Sequence, residues 1–188
     1  MIKSSKLEIP DVLLLEPKPY NDDRGFFIET FRSSTFRELG LPNFLQHNAS
    51  RGKIGTLRGI HYQLLKPQAK LIMCTRGKIY DIAVDLRCGS PTFGKYTGLI
   101  LDDENHRQLY IPEGFGHAFL VLSELADVTY YASNYYNPDS QMGIIWDDPT
   151  INIDWPPMPK GIEMTTSEKD KKNLPLLNQP KDKLFSFI

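Results

Sequence analysis

Residues 58–63 read RGIHYQ and lie within a long region of β-strand character in the first third of the chain. Along an extended strand alternate side chains share one face, so His61 points to the same side as Gly59 and Gln63. Gly59 carries no side chain and leaves room beside the histidine for a ligand or for a kink. A base on a rigid strand would suit catalysis, but these six residues alone favour a histidine that is hydrogen-bonded inside a β core.

Short β-type runs separated by turn signals flank this stretch on both sides. The predicted strands cover residues 7–15, 26–31, 44–50, 70–75, 78–86, 96–101, 108–111, 117–122 and 128–133. Gly77 predicts a hairpin between the runs at 70–75 and 78–86. A helix is predicted over residues 33–39, where Thr35 and Glu38 have capping-box spacing and Gly40 ends the helix. The pattern as a whole predicts an all-β fold, an antiparallel sandwich or barrel.

Length and composition indicate one ordinary globular domain. The 188 residues are 40% hydrophobic and 24% charged, which predicts a single domain over residues 1–188. Its core is expected at about 7–155, followed by a polar, Pro- and Lys-rich appendage at about 156–188. The net charge of −1 argues against a general affinity for nucleic acid or anionic membranes.

Neither a membrane span nor a signal peptide is predicted from the hydropathy of the chain. The two cysteines, Cys74 and Cys88, have no metal-type spacing and form no disulfide framework. A reduced, cytoplasmic setting is therefore expected.

Further motifs carry a resemblance to a known family. Besides RGIHYQ the chain contains DDRGFF at 22–27, SPTFGK at 90–95, IPEGF at 111–115, YYNP at 135–138 and DP at 148–149. In this order and spacing, they resemble the dTDP-4-dehydrorhamnose 3,5-epimerase family over about residues 7–177. The resemblance implies a cupin-type jelly-roll barrel or sandwich with a few short peripheral helices. It also implies a homodimer that needs no cofactor.

The reaction implied by the resemblance acts on a dTDP-4-keto-6-deoxyhexose. Protons leave the two carbons that flank the keto group and return on the opposite face. This converts dTDP-4-dehydro-6-deoxy-D-glucose to dTDP-4-dehydro-L-rhamnose. Such chemistry needs a base, an acid across the ring and a group that stabilises the enolate, while the ketone itself serves as the electron sink.

Four residues match the catalytic positions of the family. The resemblance makes His61 the base, Asp170 its orienting carboxylate, Tyr130 the acid and Lys70 the cation beside the keto oxygen. By itself, each residue has a simpler explanation. Ser167 and Asp170 have the spacing of a helix capping box, Tyr130 reads as a half-buried aromatic of a β-strand, and Lys70 reads as a solvated strand end.

The resemblance also implies a set of substrate-binding residues. These are Arg24, Phe27, Glu29, Gln46, Asn48, Arg58, His117, Tyr136, Gln141 and Lys169. Arg24 and Arg58 match ligands of the diphosphate, for which forked guanidinium groups are well suited. Phe27 matches an aromatic residue donated across the dimer interface. Tyr136 matches a residue that stacks on the thymine, and it is a second candidate for the acid.

Arg58 poses a geometric problem that leads to a specific prediction. It lies three residues before His61, so an ideal strand would place the two side chains on opposite faces. We expect a bulge at Gly59 that turns Arg58 to the side of His61.

A metal site is not predicted. Metal-binding cupins use two histidines two residues apart, a nearby carboxylate and a histidine on a later strand. Here position 63 is Gln63, and His61 and His117 have no carboxylate near them in the sequence.

Other functions remain open from the sequence. The same scaffold could carry a 3-epimerase, a CDP-sugar epimerase or a 3,4-ketoisomerase. A non-catalytic sugar-nucleotide sensor would be expected to lack the base or the acid, and both are present.

Overall fold

The computed structural model describes residues 2–187, and almost all of its regular structure is β. The strands are β1 (Lys3–Lys6), β2 (Leu13–Glu16), β3 (Pro19–Asp22), β4 (Gly25–Ile28), β5 (Gln46–Lys53), β6 (Leu57–Gln63), β7 (Lys70–Arg76), β8 (Lys78–Asp85), β9 (Arg87–Cys88), β10 (Tyr96–Asp102), β11 (Gln108–Ile111), β12 (Phe115–Val121), β13 (Leu125–Ala132), β14 (Gln141–Gly143) and β15 (Phe185–Ser186). The helix α1 spans Ser33–Glu38, and short 3₁₀ turns span Pro138–Ser140, Asp170–Lys172, Leu176–Asn178 and Lys181–Lys183. The predicted all-β class is confirmed.

Two antiparallel sheets form a sandwich. The first has the strand order β1-β2-β11-β7-β13-β5, and the second has the order β10-β8-β12-β6-β14. One buried cluster takes Ile72 and Val128 from the first sheet and Ala83 and Phe119 from the second, so these side chains face the space between the sheets. Because side chains alternate along each strand, this cluster also defines which other residues face inward.

Each sheet is covered on its outer face by a different part of the chain. Phe36 of α1 packs with Leu71 of the first sheet. Ile151, Leu176 and Leu184 of the C-terminal segment pack against the outer face of the second sheet. This packing brings the residues before Leu176 to the edge of the second sheet, beside β14 and β6.

The hairpin predicted at Gly77 is wrong. β7 and β8 follow each other with one residue between them, but β7 belongs to the first sheet and β8 to the second. Gly77 has φ +77°, and a Cβ there would collide with the carbonyl oxygen of Leu125. The glycine therefore marks a tight corner between the two sheets, which has the same local sequence signature as a hairpin turn.

The helix starts at Ser33 as predicted, but the predicted capping box does not form. Arg32 is the N-cap and makes no side-chain capping bond, while Thr35 lies inside the helix. The end is as predicted, because Gly40 follows the helix with φ +77°. In the described part of the chain, no helix has the length and apolarity needed to cross a bilayer.

Two predicted strand boundaries are also corrected. The run at 7–15 is a strand only over Leu13–Glu16, preceded by a turn in which the Val12 N–H donates to the carbonyl oxygen of Ile9 at 2.9 Å. The run at 44–50 begins later and extends to Lys53, because residues 51–53 pair with β13 rather than forming a loop.

Candidate active site

A bulge in β6 places Arg58 and His61 on one face, as the sequence predicts. His61 lies opposite His117 and Arg58 lies opposite Phe119 on β12, so three steps along β6 match two along β12. Gly59, with φ +117°, sits in the extra step, and a Cβ there would collide with Ala118. Since His117 and Phe119 both face inward, Arg58 and His61 do as well.

A polar cleft of about 400 Å³ opens at this face. It is lined by β6, by β14 and by the C-terminal segment that wraps onto the sheet edge. The lining residues are Thr56, Leu57, Arg58, His61, Gln141, Thr165, Thr166, Ser167, Lys169 and Asp170. Four of the predicted substrate or catalytic residues besides His61 thus meet in one place.

His61 is held by Asp170, a residue more than a hundred positions later in the chain. The imidazole Nε2 lies 2.6 Å from Asp170 Oδ1, with the histidine side chain 27% exposed and the aspartate side chain 6% exposed. Within the described residues Nδ1 makes no hydrogen bond. Ser167 Oγ also accepts a hydrogen bond from the Asp170 N–H at 3.1 Å. Asp170 therefore takes part in the local turn with Ser167 through its backbone and pairs with His61 through its side chain.

The Asp170 carboxylate is ionised at neutral pH. Burial disfavours its charge, but hydrogen bonds from His61, Ser167 and Thr166 outweigh burial and hold the pKa of the carboxyl below its ordinary value. An ionised Asp170 accepts the Nε2 proton of a neutral His61, which leaves Nδ1 as the basic nitrogen.

A second histidine–aspartate pair lies next to the first and was missed by the sequence reasoning. His117 Nε2 lies 3.0 Å from Asp81 Oδ2 and 3.1 Å from Oδ1, and Asp81 is fully buried. Burial lowers the pKa of His117, and the nearby Asp81 offsets this only in part. Each histidine therefore has a carboxylate partner that is distant in the sequence: Asp170 at His61, as the resemblance implied, and Asp81 at His117, which was not expected. An acidic residue in the middle of the apolar run of β8 was the available signal.

Lys70 and Tyr130 come from the first sheet and face the same space. Lys70 is two residues from Ile72 on β7, and Tyr130 is two residues from Val128 on β13, so both point inward. Lys70 Nζ lies 5.8 Å from the centre of the Tyr130 ring. Burial lowers the pKa of Lys70 to about 8, and the negative charge of Asp81 partly opposes this across the sandwich.

The Tyr130 phenol is protonated at neutral pH. Burial raises its pKa, while a hydrogen bond from Asn48 and the positive charge of Arg58 partly offset burial. Asn48 lies directly opposite Tyr130 on β5, whereas Arg58 belongs to the second sheet. An imidazole on one sheet and a phenol on the other thus face a common space between the sheets.

A chain of hydrogen bonds joins further predicted residues. Gln141 Oε1 accepts from the Tyr136 hydroxyl at 2.5 Å and from Lys169 Nζ at 3.2 Å. The Tyr136 N–H donates to Gln46 Oε1 at 2.8 Å, and Gln46 Nε2 donates to Asn48 Oδ1 at 3.0 Å. The bonds run from the first sheet to the C-terminal segment, and two members of the chain, Gln141 and Lys169, line the cleft.

Three predicted residues are not brought to this cleft within the single chain. Arg24 is bound to Asp22 at 2.6 Å with its side chain 90% exposed, and Glu29 pairs with Arg32. Phe27 is 72% exposed on the β3–β4 hairpin. The hairpin pairs with neither of the two large sheets.

Metal-ligating side chains do not cluster in the described structure. Among residues 2–187, no three His, Cys, Asp or Glu side chains come together in an arrangement that could hold a metal ion.

The fold and the site together define a proton-transferring enzyme on a β-sandwich scaffold. Comparison with known proteins specifies this class further. Residues 6–179 match the family model described as dTDP-4-dehydrorhamnose 3,5-epimerase. The chain belongs to this family of sugar-nucleotide epimerases, and its sandwich is the cupin fold of the family.

Individual relatives match over most of their length. The dTDP-4-dehydrorhamnose 3,5-epimerase of Pseudomonas aeruginosa is 46% identical over 173 residues, covering 91% of this chain and 94% of the relative. That of Shigella flexneri is 51% identical over 155 residues, covering 80% and 85%. A crystal structure of the dTDP-6-deoxy-D-glucose-3,5-epimerase of Legionella pneumophila, in complex with dTDP-4-keto-L-rhamnose, aligns with a TM-score of 0.96. It has 40% identity and full coverage of both chains.

Proposed function

We propose that the chain inverts C3 and C5 of dTDP-4-dehydro-6-deoxy-D-glucose, with His61 as the base and Tyr130 as the acid. The product is dTDP-4-dehydro-L-rhamnose. The observation that carries this proposal is the placement of the His61–Asp170 pair on one sheet and of Tyr130 and Lys70 on the other, facing one space.

In the first step His61 Nδ1 removes the proton from the carbon next to the keto group. Asp170 fixes the tautomer that makes Nδ1 basic and stabilises the imidazolium that forms. The electron pair of the broken C–H bond moves into the carbonyl and forms an enolate. A positioned base of this kind contributes roughly 10²–10⁴-fold to the rate.

Lys70 stabilises the enolate. A fixed ammonium group in a site of low dielectric constant is worth more there than in water, because it is already oriented toward the developing charge. Its pKa of about 8 keeps the group mostly protonated at neutral pH.

Tyr130 completes the inversion. The phenol donates its proton to the same carbon from the opposite face while the enolate returns to the ketone. The tyrosinate then regains a proton from solvent and the imidazolium loses one, so the enzyme is restored with no net change. Repeating these steps at the other flanking carbon gives the doubly inverted product.

The remaining residues bind the nucleotide. Arg58 carries the charge for the diphosphate at the mouth of the cleft, where its side chain is exposed. Tyr136 provides an aromatic face for the thymine, held by Gln46 and Gln141. The path between the thymine and the sugar is lined by Asn48, His117 and the Lys169 ammonium group.

We propose that a second copy of the chain completes the site. The β3–β4 hairpin exposes Tyr20, Phe26 and Phe27 by 56%, 56% and 72%, and exposed apolar side chains grouped in this way are typical of an interaction site. Arg24, Phe27 and Glu29 all lie on or just after this hairpin and away from the cleft of their own chain. In a homodimer they reach the cleft of the other protomer, where Arg24 adds a second cation for the diphosphate.

Deuterium incorporation tests the reaction. The wild-type protein is incubated with the 4-keto substrate in heavy water, and the product is analysed by NMR. Label at C3 and C5 is expected, since both protons exchange through the enzyme. Label at C3 alone would show that the protein is a 3-epimerase, which inverts one carbon only. Label at neither carbon would contradict the proposal.

Complementation tests the shared site. A His61→Asn variant and a Phe27→Asp variant are each expected to be weakly active. Mixing them and allowing subunits to exchange forms one site with native His61 and a native Phe27 from the other chain. Activity should rise toward a quarter to a half of the wild-type rate, and a mixture no more active than its components would exclude the exchange of Phe27.

A further inference from the structure

Gln63 occupies the position where metal-binding cupins place their second histidine, and the reaction proposed above gives it no task. It lies on β6 two residues after His61 and is only 4% exposed. Its partner on β14 is Gln141, so both side chains lie on the face of the cleft. A buried amide in this place calls for a full account of its hydrogen bonds.

The Gln63 amide is fully engaged with the loop that carries Tyr136. Its Nε2 donates to the carbonyl oxygens of Lys66 at 2.7 Å and Tyr135 at 3.1 Å. Its Oε1 accepts from the N–H of Asn137 at 2.7 Å. Both donors of the amide are therefore used, and its oxygen holds the residue that follows Tyr136.

Backbone bonds hold Tyr136 in addition to the bond from its hydroxyl to Gln141. Tyr136 is 51% exposed, so packing alone does not fix its ring, and the Gln141 bond holds only the far end of the ring. The N–H of Tyr136 is held by Gln46 of the first sheet, while the residues on either side of it are held by Gln63 of the second. Two glutamines, one from each sheet, clamp three consecutive residues.

We propose that Gln63 is a positioning residue that ties residues 135–137 to β6 and so sets the place of the Tyr136 ring relative to His61. This inference rests on the proposed function, in which Tyr136 lies against the nucleotide. Because Gln63 and His61 share one strand, the amide fixes the nucleotide wall to the strand that bears the base.

Replacement of Gln63 should weaken nucleotide binding more than it slows turnover. Gln63→Met removes all three bonds and leaves the Asn137 N–H and two carbonyls without partners. We expect the Kd for dTDP, measured by calorimetry, and the KM for the sugar nucleotide to rise about tenfold. The kcat should fall less than about threefold, since the base and acid are untouched.

A double-mutant cycle separates this role from a general structural one. In a Tyr136→Ala background the Gln63→Met change should alter the dTDP Kd by less than about twofold, because the ring that Gln63 positions is gone. Additive effects of the two changes would overturn the inference. If the wild type incorporates no deuterium, the proposed function fails, whereas the cycle in dTDP binding still decides the role of Gln63.

Two further variants complete the test. Gln68→Met is the matched control, because Gln68 Nε2 donates to the carbonyl oxygen of Asn134, just outside the clamped segment, at 2.8 Å. It should leave the dTDP Kd unchanged, and a loss equal to that of Gln63→Met would overturn the inference. Gln63→Glu retains the acceptor for Asn137 but turns a carboxylate oxygen toward two carbonyls. It should weaken binding at least as much as Gln63→Met, and wild-type affinity in this variant would also overturn the inference.

Discussion

The two histidine–aspartate pairs of the second sheet lie side by side, and solvent reaches them very differently. His61 and His117 are direct partners across β6 and β12. In the first pair the His61 side chain is 27% exposed, and its carboxylate comes from the C-terminal segment. In the second pair the His117 side chain is 7% exposed, and its carboxylate, Asp81, is fully buried on the adjacent strand β8.

The difference separates an imidazole that borders the cleft from one that is shielded from solvent. His61 borders the polar cleft, and among residues 2–187 its Nδ1 makes no hydrogen bond, so a ligand in the cleft can approach this nitrogen. Burial keeps the pKa of His117 low, and its neutral ring acts as a fixed hydrogen-bonding group beside Lys70. In the proposed mechanism, the same pair of residue types therefore serves as a base in one place and as a support in the other.

Loss of the accessible imidazole should have the largest effect. We expect His61→Ala to lower kcat by roughly 10⁴-fold, the upper end of what a positioned base contributes. Exchange of the substrate protons with heavy water should disappear at both carbons, while dTDP binding by calorimetry stays near the wild-type value. Undiminished exchange would show that another residue is the base.

The carboxylate partners provide a matched comparison. Asp170→Asn should lower kcat by about 10³-fold, because an amide can force the wrong tautomer on His61. Asp81→Asn should lower kcat less than about tenfold, since the proposed mechanism gives His117 no proton to transfer. It should instead lower the free energy of unfolding by about 1–3 kcal/mol, because the buried amide leaves a donor without a partner. Equal kinetic losses in the two variants would remove the distinction between the pairs.

Replacement of Lys70 should have the next largest effect on kcat. The titration of Lys70 should also produce a fall in activity on the alkaline side of the pH profile, the alkaline limb. Lys70→Met is expected to lower kcat by about 10²-fold, as removal of one oxyanion donor does.

In the wild type, activity should fall as the pH rises through about 8, the pKa of Lys70, because only the ammonium form stabilises the enolate. Asp81→Asn removes a negative charge that raises this pKa, so the limb should move to lower pH. Lys70→Arg, whose charge persists, should lose the limb.

Arg58 should have the smallest catalytic effect. Arg58→Met removes the proposed diphosphate ligand at the exposed mouth of the cleft, so the KM should rise about tenfold while kcat changes little. The increase should shrink at high salt, since exposed charges are screened. A fall in kcat with an unchanged KM would place Arg58 in the chemistry instead.

The strands were predictable where local signals are sufficient. Alternating apolar residues bounded by turns located β10 and β11 to within a residue, and Gly59 was correctly assigned to a bulge. The corner at Gly77 was not predictable, because a turn within one sheet and a crossing to the other sheet use the same residue type. What distinguishes them is the approach of Leu125, a contact that arises only in the folded chain.

The site shows the same limit more strongly. Asp170 lies 109 positions from His61, and its local spacing to Ser167 is explained by a turn, so only the family resemblance linked it to the histidine. Asp81 had a local signal, an acidic residue within the otherwise apolar run of β8, which was not connected to His117. The pairing of β8 with β12 makes that connection.

The position of the acid opposite the base is tested most directly by a Tyr130→Phe variant in heavy water. Isotope exchange and inversion are followed separately by NMR. This variant should still exchange the substrate protons, because His61 removes them and returns solvent deuterium to the same face, while inversion is lost. Inversion at the wild-type rate without the phenol would show that Tyr130 is not the acid on the opposite side of the sugar.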